Sequence, residues 1–78
     1  MNLARRNRII NAIVGELREI VAELENVRDE ESDAFSNMPE SLQDSERGQK
    51  AREAVDTLET AVDSITSETD NLENIVSE

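Results

Sequence analysis

Apolar residues recur along this chain with a seven-residue spacing, in two runs separated by a stretch where the pattern lapses. With Leu17 taken as heptad position a, the a row of the first run reads Leu3, Ile10, Leu17, Leu24 and the d row Ile13, Ile20, Val27, Ala34. Val14, Val21 and Phe35 fall at e, while Arg6 at d and Glu31 at a interrupt the frame. The second run repeats the scheme with Leu58 at a. Its a row is Ala51, Leu58, Ile65, Leu72, its d row Ala54, Ala61, Glu68, Ile75, and its e row Val55, Val62, Thr69, Val76. A stripe three positions wide at this period predicts amphipathic helices packed in a bundle. Strong helix formers dominate both runs, and Gly15 is the only glycine inside the first.

The punctuation agrees. Asn2 is placed to cap the first helix, and Asn37 to take a left-handed C-terminal position with Pro39 preventing continuation. Asp44 or Ser45 can accept the free N–H groups that open the second helix. Ser41 with Asp44 resembles a capping box one turn earlier, which leaves that boundary within residues 40–46. The expected order is a helix over about 2–36, a linker over about 37–44 and a helix over about 45–76, each helix about 50 Å long. The fold class is therefore all-α, an antiparallel two-helix hairpin in a single domain spanning 1–78.

A reversal centred on that linker pairs residues whose numbers sum to roughly 82. Leu24 then faces Leu58, Leu17 faces Ile65 and Ile10 faces Leu72, while Val27 lies by Ala54 and Val55 and Ile20 by Ala61 and Val62. Arg5, Arg6 and Arg8 fall opposite Glu73 and Glu78, Arg18 near Asp63 and Arg28 near Glu53. Arg47, Lys50 and Arg52 fall beside Asp29, Glu30, Glu31 and Asp33, and Gly48 opposite Ala34. Exposed pairs of this kind contribute under about 1 kcal/mol each. Phe35, Met38 and Leu42 are the candidate residues capping the linker end of the core.

Two helices cannot bury two three-position stripes against each other alone. The a/d seam leaves Val14, Val21, Val55, Val62 and Val76 facing water, and such a patch implies a partner. A second copy is the simplest one, forming a homodimeric four-helix bundle with those valines as the candidate interface.

Composition narrows the chemistry. The 78 residues carry 19 acidic and 8 basic side chains for a net charge of −11, with one aromatic residue and neither Cys nor His. Disulfides and the usual zinc ligands are excluded, and the charge and missing aromatics argue against direct nucleic-acid or anionic-membrane binding. No apolar run reaches the length of a membrane span, and the basic start with "IINAIVGEL" is too short and interrupted for a secretory core. The expectation is a cytoplasmic protein with no cofactor, no metal and no catalytic residue. Glu16-x-x-Glu19 and Asp29-Glu30-Glu31 resemble the paired carboxylates of helical pyrophosphatases that hold magnesium, but in this frame they do not converge on a common cavity. The Glu-x-x-His of di-iron bundles does not occur.

Two further acidic features stand out. Glu31 and Glu68 interrupt the apolar stripe, either at wet layers, with Glu31 paired to Arg47 or Lys50, or as polar residues that set register or partner. Asp56, Asp63 and Asp70 repeat at seven-residue spacing on the outer face of the second helix, flanked by Glu53, Glu59 and Glu73. That row is either an ordinary solvated face or a ladder of negative charge, spaced about 10 Å, that mimics nucleic acid toward a basic protein.

The linker carries a resemblance. Phe35 followed by Pro39-Glu40-Ser41-Leu42-Gln43-Asp44-Ser45-Glu46-Arg47-Gly48 and an acidic helix resembles a group of short, uncharacterised helical proteins of phages and prophages. The likeness covers residues 28–65, about half the chain, and implies a phage-borne accessory protein acting in the host cytoplasm. The expected function is a non-enzymatic acidic interaction module that modulates or inhibits a host protein, in its sharpest form by nucleic-acid mimicry. The alternative is a structural or adaptor bundle in phage assembly or replication, using the apolar stripe and linker as its interface.

Overall fold

Asn2 opens the first helix with its side-chain oxygen accepting the Arg5 backbone N–H at 3.2 Å, the geometry of an N-cap. In the computed structural model, which describes residues 2–77, that helix, α1, runs Leu3–Ser36. A one-turn helix, α2, follows over Glu40–Gln43, and α3 runs Glu46–Ser77. The chain is all-helical among the described residues, with α1 and α3 packed antiparallel into a rod of 59 × 15 × 14 Å.

The connection is built differently from the expected loop. Asn37 is not left-handed: it has φ −86° and ψ −5°, its N–H donates to the Asp33 carbonyl at 3.0 Å, and no described non-glycine residue has positive φ. A right-handed end carries the chain onward rather than sharply back. Pro39, extended at φ −55° and ψ 146°, then starts α2, where its missing N–H costs nothing because a first-turn N–H has no helical partner. The Gln43 side-chain amide reaches back to the Met38 carbonyl at 3.0 Å and the Phe35 carbonyl at 3.4 Å, tying α2 to the end of α1. Ser45, not Asp44, caps α3: its hydroxyl accepts the Gly48 N–H at 3.3 Å and donates to the Leu42 carbonyl.

Gly48 is required by that wrap. A Cβ there would sit 2.5 Å from both the Gln43 carbonyl carbon and the Leu42 carbonyl oxygen, and closer still to the Gln43 oxygen. The close approach is therefore to the α2 backbone, and not to Ala34, which is exposed.

Because α2 extends the rod before α3 turns back, the register shifts. Arg18 meets Asp70 and Glu73, about two to three turns beyond the expected Asp63, and Arg28 lies in the field of Glu59 rather than of Glu53. Arg52 stacks on Phe35, its guanidinium carbon 5.0 Å from the ring centroid. Carried along the rod, this register brings the end of α3 level with about Ile10, so the basic turn Arg5–Arg8 projects past Ser77. Glu78, one of the acids expected opposite that turn, lies outside the described residues.

The seam itself is rotated. Val14 and Val62 are each 7% exposed and Ala51 6%, and Thr69 is fully buried with its hydroxyl bonded to the Ile65 carbonyl at 2.6 Å. Val21, Val55 and Val76 are half-buried. The helices therefore meet along their a and e rows, not a and d. Of the five valines expected to face outward, Val14 and Val62 lie in the hairpin's own core and Val21, Val55 and Val76 are half-buried beside it. The exposed large apolar residues are Ile13, Ile20, Val27 and Ile75 of the d row together with Leu3, Ile9 and Leu42.

Candidate functional site

The rotated seam divides the hairpin into two unlike sides. On a helix whose a and e positions face a neighbour, d lies on one flank and b on the other. In an antiparallel pair the two d rows share one side and the two b rows the other. The Arg18–Glu73 pair joins b to b across the hairpin, as this requires.

The b side is charged. Arg18 holds Glu73 at 2.5 Å and Asp70 at 3.2 Å, and these bonds, Glu73's first, raise its guanidinium above the ordinary arginine value. All three side chains are 45–61% exposed, so the contribution to stability is small. Arg28 is turned onto its own helix, bonding Asp29 at 3.0 and 3.1 Å, and its guanidinium is likewise raised, chiefly by Asp29. Lys50 pairs with Glu46 at 3.3 Å rather than with an acid of α1, and Arg6 bonds the Asn7 side chain. Among the described residues, Arg18 carries the only ion pairs between α1 and α3.

The acidic row of α3 is thereby split. Asp70 and Glu73 are engaged by Arg18, whereas Glu53, Asp56, Glu59 and Asp63 are exposed with no ion-pair partner among the described residues. Glu59 lies within the field of Arg28 without pairing to it. Four carboxylates over about three turns form a concentrated negative stretch.

The d side is apolar. Ile13, Ile20 and Val27 are 42%, 45% and 49% exposed, a ridge of branched side chains one above the other on α1. Beside it α3 presents the half-buried Ala54 and Ala61, and a shallow depression is lined by Asp56, Thr57, Thr60 and Ala61. Glu68, at d, is exposed on this side and does not enter the seam, while Glu31, at a, is half-buried and unpaired among the described residues. At the linker, Phe35 and Met38 are half-buried under Arg52 and the Gln43 clip, and Leu42 is 42% exposed at the tip.

Sequence reasoning missed the ridge because the α1 d row reads as core by composition. The available signal was in α3, whose e row of Val55, Val62, Thr69 and Val76 carries no charge whereas its d row contains Glu68. Among the described residues no three acidic side chains come together in a metal-holding arrangement, and no helix is long and apolar enough to cross a membrane. Comparison with protein-family models, with curated proteins and with solved structures finds nothing that matches the chain.

Proposed function

We propose that this protein is a non-enzymatic interaction module: a helical hairpin that self-associates into a four-helix bundle and presents the acidic side of α3 to a basic protein surface. The observation that carries the reading is the division of its acids. Arg18 engages Asp70 and Glu73, and Glu53, Asp56, Glu59 and Asp63 are left exposed as a continuous charged stretch. Such a stretch accelerates encounter with a basic partner and weakens as salt rises. The linker's resemblance to phage and prophage proteins supports an accessory role against a host protein in the host cytoplasm, with nucleic-acid mimicry as its sharpest form.

The test is capture from host lysate by the wild type and by a variant with Glu53→Gln, Asp56→Asn, Glu59→Gln and Asp63→Asn. The proposal expects the wild type to retain basic, nucleic-acid-binding proteins at low salt, and the variant to lose them at unchanged helicity. Equal capture by the two proteins contradicts it. The second reading, a structural or adaptor bundle, is favoured by the exposed Ile13, Ile20 and Val27 ridge. It expects salt-resistant capture that depends on the ridge instead.

A further inference from the structure

We propose that the occupant of the d side is a second copy of this chain, seated so that α1 of each copy lies over α3 of the other with both linker tips at the same end. The inference deepens the self-association proposed above and rests on it.

Shape supplies the first argument. Ile13, Ile20 and Val27 form a ridge on α1, while the same side of α3 carries the small Ala54, Thr57, Ala61 and Ser64 toward the linker and Glu68 and Ile75 toward its end. A two-fold axis along the rod seats Val27 on Ala61 of the other copy and brings Ile20 level with Glu68 and Ile13 level with Ile75. An axis across the rod would instead stack ridge on ridge. Small residues facing large ones is the arrangement that lets helices interlock.

Charge supplies the second. The g row of α1, which flanks the ridge, contains Glu16, Glu23 and Glu30, all exposed. The g row of α3 contains Lys50, Thr57, Ser64 and Asn71, with no acid. In the register set by Arg18–Asp70 and Arg52–Phe35, the proposed packing brings Glu30 level with Thr57, Glu23 with Ser64 and Glu16 with Asn71 of the opposite copy. Each carboxylate then meets a hydroxyl or amide donor. With the axis across the rod, the glutamate rows of the two α1 helices face each other, and like charges along such a flank are repulsive.

Area supplies the third. The chain exposes 5690 Å², whereas a compact monomer of this mass exposes about 4,700 Å². The surplus is of the size that one partner contributes to a standard interface, about 800 Å².

Because the chain has no cysteine, Ser41→Cys at the exposed tip can carry a single nitroxide, and pulsed electron–electron resonance then reads the distance between copies. The proposed packing gives a distance below about 30 Å, since the tips are separated only by neighbouring-helix spacings. The packing with the axis across the rod gives on the order of 50 Å, close to the rod's 59 Å length. A long distance overturns the packing and leaves self-association standing. No intermolecular distance at high concentration overturns both. A charge exchange checks the same geometry: Ser64→Glu should weaken dimerisation at least about 10-fold and added Glu23→Lys should restore it. Failure of that rescue overturns the packing.

Discussion

The two glycines should respond in opposite directions to the same substitution. Both lie within helices, so each carries the intrinsic penalty of about 1 kcal/mol relative to alanine. At Gly15 a new Cβ meets nothing within 4 Å, so Gly15→Ala collects that gain. At Gly48 the same methyl enters the space of the Gln43 carbonyl group and the Leu42 oxygen, which are backbone atoms and cannot rotate away. Relief requires α2 to move off α3. That movement breaks the Ser45 bonds to Gly48 and Leu42 and the Gln43 clip on Phe35 and Met38. Each of those bonds contributes about 0.5–1.5 kcal/mol, so after the propensity gain Gly48→Ala should lose roughly 1–3 kcal/mol. A domain of this size shifts by about 4–8 °C per kcal/mol. Thermal melts by circular dichroism, at one fixed protein concentration because association adds to apparent stability, should show Gly15→Ala melting about 4 °C higher. Gly48→Ala should melt lower, by the order of 10 °C. If Gly48→Ala also melts higher than the wild type, the wrap of α3 around α2 is wrong.

Other parts of the structure give smaller but distinct readouts. Gln43→Ala removes a donor to two carbonyls at the end of α1 and should cost about 1 kcal/mol, with faster hydrogen exchange confined to residues 36–45. Arg18→Ala should lower stability by under about 1 kcal/mol at low salt, and the difference should vanish in 1 M salt, since all three side chains are well exposed. Thr69 has no exposed surface, so Thr69→Leu should overpack the seam and cost roughly 1–3 kcal/mol in a chemical melt. Ile20→Glu should leave the hairpin's own seam intact, because Ile20 is 45% exposed, yet abolish association in a sedimentation experiment.

Helix, antiparallel pairing and approximate boundaries are legible in the sequence because they depend on period and punctuation, which are local. Which two of three apolar rows form the seam is not. In α1 the d row of Ile13, Ile20 and Val27 looks the better core, and in α3 the uncharged e row does. Only the fit of both helices together decides. Register failed for a related reason. It depends on how the linker occupies space, and the Gln43 clip and the Gly48 contact are side-chain and backbone geometry that no spacing announces. The acidic row was legible as a row, but its division was not, since pairing of Asp70 and Glu73 with Arg18 follows from the shifted register.

The account rests most heavily on the hairpin using its d side to hold a second copy while its acidic side stays free. Sedimentation equilibrium over a range of concentrations tests this directly. It should return a species of twice the 8.7 kDa chain mass for the wild type, and 8.7 kDa for Ile20→Glu under the same conditions. A wild-type chain that sediments as 8.7 kDa at every concentration would contradict it.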